Sequence, residues 1–187
     1  MLQERLLAMG GFAEERVREA VLGLASSDAA LVDRVVGGDE PINDLHMEID
    51  DRCFKLLALH QPMAADLRAI VAAVKINTDL ERVGDLAVNI AEAAKRYLLH
   101  APVKPLIDIP RMGDIAQQML RDALDAFVRR DMALAEAVLA ADDALDALKS
   151  QIFRELLTYM MQDTAKIEPA LDLILVSRHL ERIGDHA

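Results

Sequence analysis

An internal repeat limits this chain more than any other feature. Residues 9–59 align with 112–162 without a gap, a shift of 103 positions (9 to 112). Met9/Met112, Gly10/Gly113, Arg18/Arg121, Ala20/Ala123, Asp28/Asp131, Leu31/Leu134, Val35/Val138, Asp39/Asp142, Leu45/Leu148 and Ile49/Ile152 are identical pairs. Further on the shift becomes 100 (80 to 180), and Leu80-Glu81-Arg82-Val83-Gly84-Asp85-Leu86-Ala87 meets Leu180-Glu181-Arg182-Ile183-Gly184-Asp185-His186-Ala187. The shift changes near His60–Met63, against Gln162–Ala165, which marks a loop, because loops absorb a few residues readily. A chain built this way folds as two like units.

Each unit reads as helical. Aromatics are 3% of the 187 residues, Trp is absent, and there are only 8 Gly and 6 Pro, which excludes a sandwich or barrel rich in turns and β-formers. With 53% apolar and 28% charged residues, the chain has enough apolar side chains for a folded core. Leu6, Met9, Val17, Val21 and Leu24 keep helical spacing up to Ser26-Ser27-Asp28, and Asp28 and Asp131 are matching N-caps. A second helix then runs to about Leu59, with Gly37-Gly38-Asp39-Glu40-Pro41 inside it as a kink or break and Gln61-Pro62 as its end. A third, over about 63–98, carries the stripe Ile70, Val74, Leu80, Val83, Ala87 and Ile90. Residues 100–110, with three prolines, form the linker. The second unit repeats the plan over 110–130, 131–161 and 165 onward. The expected fold is all-α: two tandem antiparallel three-helix bundles, 1–99 and 108–187. The last helix stops at Ala187 about a dozen residues short of its counterpart, so a further C-terminal piece is expected.

The net charge of −11 argues against nucleic acid and against docking on an anionic membrane surface, both of which need clustered Lys and Arg. No apolar run approaches the roughly 18–20 residues of a membrane span, and the N-terminus has no signal core. The single Cys53 excludes an intrachain disulfide and fits a reducing compartment.

The repeated string carries the chemistry. Glu81 and Asp85, and again Glu181 and Asp185, stand at i and i+4 on one helix face. Two carboxylates there repel by roughly 0.2–0.5 kcal/mol, and a mid-helix Gly costs up to about 1 kcal/mol relative to Ala. An unfavourable combination present twice implies an offsetting partner. A cation between the carboxylates is one, and hard oxygen ligands favour magnesium, manganese, calcium or iron over copper. Solvation, or neutralisation by Arg82 and Arg182, is the other reading. Asp39-x-x-x-Asn43 and Asp142-x-x-x-Asp146 on the second helices are candidate further ligands, or else caps and solvated acids. The histidines form neither His-Glu-x-x-His nor Glu-x-x-His, so zinc-protease and ferritin-type di-iron chemistry lack their motifs. No nucleophile motif is present, and no catalytic residue is assigned.

With the repeat, the two Glu-Arg-x-Gly-Asp strings and Gln61-Pro62-Met63-Ala64-Ala65-Asp66-Leu67-Arg68 in view, the chain resembles the PhoU family of phosphate-uptake regulators over essentially its whole length. Leu157-Thr158-Tyr159-Met160-Met161 is similar to the family's fifth helix. The resemblance implies two three-helix bundles that bind metal at Glu81, Asp85, Glu181 and Asp185. The ions it implies are divalent or trivalent: iron, manganese, magnesium or zinc. It further implies a cytoplasmic, non-enzymatic negative regulator of the phosphate-starvation response. Such a protein acts as an adaptor between the ATPase of a phosphate ABC transporter and a two-component sensor histidine kinase, and it forms a homodimer. A carboxylate-bundle metalloenzyme and a metal-free helical adaptor are the rival readings.

Overall fold

The computed structural model describes residues 2–38, 40–60 and 62–187, with the His60 side chain left aside. The elements are α1 (Leu2–Ala25), α2 (Ala29–Val36), α3 (Glu40–His60), α4 (Ala65–Tyr97), α5 (Asp108–Arg129), α6 (Met132–Gln162) and α7 (Ile167–His186). A 3₁₀ turn at Thr164–Lys166 leads into α7, and among the described residues there is no strand. The all-α, two-bundle architecture expected from the repeat is what the chain adopts.

Local chemistry sets the boundaries. The Asp28 carboxylate accepts from the Leu31 amide at 3.0 Å, and Asp131 from the Leu134 amide at 3.1 Å. The chain turns into these caps through Ser27 and Arg130, repeat-equivalent residues with φ of 57° and 56°. Gly37 closes α2, and α3 begins at Glu40 with Pro41 in its first turn, where a missing N–H is harmless. The glycine pair therefore breaks the helix, so the first bundle has α2 and α3 where the second has one continuous α6.

The bundles are not separate bodies. One apolar core runs through both, and it buries repeat-equivalent side chains in pairs: Met9 and Met112, Ile42 and Leu145, Ile49 and Ile152, Leu80 and Leu180. Each such aliphatic side chain contributes about 1.5–3 kcal/mol on burial. α1 packs on α4 and α5, and α4 packs on α7, so these four helices form a shared inner layer. α2 and α3 cover it on one side and α6 on the other.

The contact of α1 with α5 is reciprocal. A Cβ on Gly10 would lie 2.2 Å from Leu124 Cδ1, and one on Gly113 would lie 3.1 Å from both γ-carbons of Val21. Val21 and Leu124 are themselves repeat partners. Each unit thus offers a glycine as the hole and a branched aliphatic as the knob. Three polar ties join the bundles: Arg121 to Glu14 at 2.6 Å across α1 and α5, and, between α4 and α7, Arg96 to Asp172 at 2.8 Å and His186 Nδ1 to Asp79 at 3.1 Å.

The linker is pinned as well. The Val103 amide donates to the Tyr97 hydroxyl at 3.3 Å, and the buried Lys104 ammonium joins Asp108 and Glu155.

Val21 is β-branched and cannot swing its methyls aside, so Gly113→Val should overpack the seam. We expect a loss of about 1–3 kcal/mol by chemical denaturation. An unchanged midpoint would show that α1 and α5 are not in close contact.

Candidate functional site

The glycine of each repeated string is a packing residue. A Cβ on Gly84 would come within 2.9 Å of Ile42 Cδ1, and one on Gly184 within 2.5 Å of Leu145 Cδ2. Ile42 and Leu145 are repeat partners on the second helices. The missing side chain lets that helix lie close against the third, and so brings its acids up to the Glu-x-x-x-Asp face.

In the second bundle the approach gathers four carboxylates. Asp142 and Asp146 come from α6, and Glu181 and Asp185 from α7. Asp142 Oδ1 lies 3.4 Å from where a Gly184 Cβ would be, and it is buried without a hydrogen-bond partner. Burial raises the pKa of the Asp142 carboxyl above its ordinary value, and the negative charges of Asp185, Asp146, Glu181 and Asp143 raise it further.

Sequence reasoning missed the group that neutralises the rest. Lys149 Nζ donates to Asp146 and to Glu181, each at 2.7 Å. Its pKa is pushed up to about 12, because hydrogen bonds to Asp146 and Glu181 outweigh burial. The counter-charge at Glu181 is therefore Lys149 and not the neighbouring Arg182. The signal was available in the sequence: Lys149 follows Asp146 by one helical turn on the face that meets α7.

The first bundle differs. Glu81 is half-buried and Asp85 exposed on α4, and neither makes a hydrogen bond or ion pair among the described residues. Asp39, the counterpart of Asp142, lies outside the described residues. His46 stands where the second bundle has Lys149; its Nδ1 is 3.4 Å from the Asn77 carbonyl oxygen and its Nε2 3.7 Å from Asp50. The fully buried Asn77 amide donates to the His46 carbonyl and to Asp50 Oδ1, both at 3.0 Å, and so ties α3 to α4. Among the described residues no group of three or more His, Cys, Asp or Glu side chains is arranged to hold a metal ion. His186, beside Asp185, is spent on the inter-bundle contact with Asp79.

The donor set of the second bundle nonetheless suits a hard cation. It is all oxygen, it includes one buried oxygen without a partner, and burial together with the neighbouring carboxylate charges raises the Asp142 pKa.

Comparison with known proteins gives a consistent picture. The PhoU domain family model matches residues 6–94 and 109–187. The phosphate-specific transport system accessory protein PhoU homolog of Caulobacter vibrioides is 44% identical over 187 residues, which is all of this chain and 81% of that protein. The homolog of the same name from Aquifex aeolicus is 40% identical, over 96% of this chain and 81% of that one. The crystal structure of PhoU from Pseudomonas aeruginosa superposes with a TM-score of 0.94 at 39% identity, covering 99% of this chain and 89% of that one. The phosphate transport system regulatory protein PhoU from Streptococcus pneumoniae gives 0.89 at 28% identity, over 99% and 87%.

A carboxyl with a raised folded pKa favours folding below its unfolded value, and that contribution is lost as pH rises through the folded value. At neutral pH, with chelator present, Asp142 should therefore oppose folding. Asp142→Asn should raise the melting temperature at pH 7, and the gain should vanish as pH falls below the ordinary aspartate range. Thermal unfolding followed across that range checks the sign; a lower melting temperature at pH 7 would contradict the electrostatic reading.

Proposed function

The chain belongs to the PhoU family, and on that premise we propose that it is a metal-binding, non-catalytic regulator of phosphate uptake. The observation that carries this is the pair of PhoU domains over both repeats, together with relatives named as accessory proteins of phosphate-specific transport. In this reading the protein is a cytoplasmic homodimer. It restrains the phosphate-starvation response as an adaptor between the ATPase of a phosphate ABC transporter and a sensor histidine kinase. Among the described residues no helix is long and apolar enough to cross a membrane, which agrees with an adaptor that meets the transporter through its ATPase.

Asp142, Asp146, Glu181 and Asp185 would hold metal in the second bundle, and Glu81 and Asp85 in the first, with Asp39 as a further ligand. When bound, a divalent or trivalent cation supplies the positive charge these acids lack. The unpartnered Asp142 oxygen and the raised Asp142 pKa support the second site. The repeated Glu-x-x-x-Asp string supports the first. Lys149 holds Asp146 and Glu181 and so competes for the same oxygens. The −11 charge of the chain favours basic surfaces on its partners, an attraction screened over roughly 8 Å at physiological salt.

Elemental analysis with competition binding tests the metal sites. Glu81→Ala with Asp85→Ala should remove about half of the bound metal and leave the protein folded. Asp142→Asn should weaken the remaining site and Lys149→Met should strengthen it. Unchanged stoichiometry and affinity in all three would remove the assignment.

The adaptor reading is tested by binding to the transporter ATPase and to the sensor kinase, with and without chelator, at low and high salt. Binding should weaken as salt rises. No binding to either partner in any of the four conditions would leave that reading without support.

A further inference from the structure

An open groove of about 730 Å³ lies between α6 and α7, and its charge is opposite to that of the chain. It is lined by Arg154 from α6 and by Arg178 and Arg182 from α7, which stand one helical turn apart. None of these three guanidinium groups makes an ion pair or side-chain hydrogen bond among the described residues. Acids outnumber Lys and Arg by 32 to 21 in this chain, so three arginines in one groove without carboxylate partners is not the expected outcome. Glu181 and Asp185 also border the groove; Glu181 is already held by Lys149, at 2.7 Å. Ser150 adds a free hydroxyl, and Phe153 and Ile174 add apolar surface.

The repeat provides an internal control. The first bundle has Asp51 in place of Arg154, Thr78 in place of Arg178 and Asp50 in place of Phe153, and keeps only Arg82 against Arg182. The two faces share a backbone plan, so neither packing nor the helix-forming pattern requires the arginines. One bundle has an acidic face at this place and the other a basic groove.

We infer that the α6/α7 groove binds a phosphoryl dianion, either free phosphate or a phosphate ester, through Arg154, Arg178 and Arg182. Guanidinium groups form paired hydrogen bonds to carboxylate or phosphate. Donors converging from two helices exceed what a single carboxylate with two oxygens and one charge can accept. A tetrahedral dianion presents three or more oxygens and twice the charge. Phe153 and Ile174 offer the organic part of an ester a surface, and the volume lies within the usual range for small-molecule sites, about 300–1,000 Å³. The groove adjoins the proposed metal ligands Glu181 and Asp185, but none of the three arginines is itself a proposed metal ligand.

Calorimetric titration of the full chain at low ionic strength, with chelator present, tests the inference. The probes are inorganic phosphate, adenosine 5′-monophosphate and a glutamate-rich peptide. Saturable binding of both phosphates with similar affinity would identify the phosphoryl group as the determinant; tighter binding of the nucleotide would add the apolar surface. Arg154→Gln with Arg178→Gln should weaken either interaction by at least about tenfold while the melting temperature stays put. Arg154→Gln alone should give a smaller loss in the same direction, and serves if the double variant is unstable. The inference fails if neither phosphate saturates, if the substitutions leave binding unchanged, or if binding appears only when chelator is omitted and so belongs to a metal. It also fails if only the peptide binds.

Discussion

The crossing of α1 and α5 is the contact on which the rest of the molecule depends. Gly10 receives Leu124 and Gly113 receives Val21, so the two repeats meet through the same surface used twice. Isologous contacts of this kind are ordinarily seen between subunits, and here they lie within one chain. Close approach at the seam lets α4 and α7 meet and merges what would be two small cores into one. The larger core matters, because a bundle of roughly 60–90 residues buries proportionally less of its surface and is only marginally stable alone.

The carboxylate cluster follows from the same geometry one layer out. Gly84 and Gly184 bring the second helix of each bundle against the third, and whatever acids that helix carries are then pressed together. In the second bundle the result is electrostatically divided. Lys149 satisfies Asp146 and Glu181, while the buried Asp142 oxygen is left without a donor and its carboxyl feels the Asp185 charge. The first bundle has His46 at the position of that lysine, so the fixed positive charge is absent there. Two carboxylate faces drawn from one template thus differ in how strongly their acids are already paired.

Much of the fold was legible in the sequence because its determinants are local. The caps at Asp28 and Asp131, the break at Gly37–Gly38 and the loop near Pro62 are short-range chemistry, and the repeat doubled each signal. The shared core was not legible. Helical periodicity shows that Leu80 or Leu180 faces inward, but not that both face the same interior. The Glu-x-x-x-Asp faces were visible, as were their neighbours Asp142 and Asp146. Lys149 was half legible: its one-turn spacing from Asp146 is local, but its distance from Glu181 depends on the approach of two helices and not on either alone. The arginine groove was invisible for a like reason: Arg154 lies far in sequence from Arg178 and Arg182, and overall acidity concealed it.

The linker between Tyr97 and Asp108, held at Val103 and Lys104, has a consequence beyond joining the halves. In a dimer of identical subunits every substitution occurs twice, and a change useful at one copy of a site is imposed on the other. Covalent fusion removes that constraint while keeping the contact surface. Each half is then free to specialise: lysine in one and histidine in the other beside the carboxylates, arginine in one and aspartate in the other on the outer face. Joining the halves in one chain is what allows a symmetric scaffold to carry asymmetric chemistry.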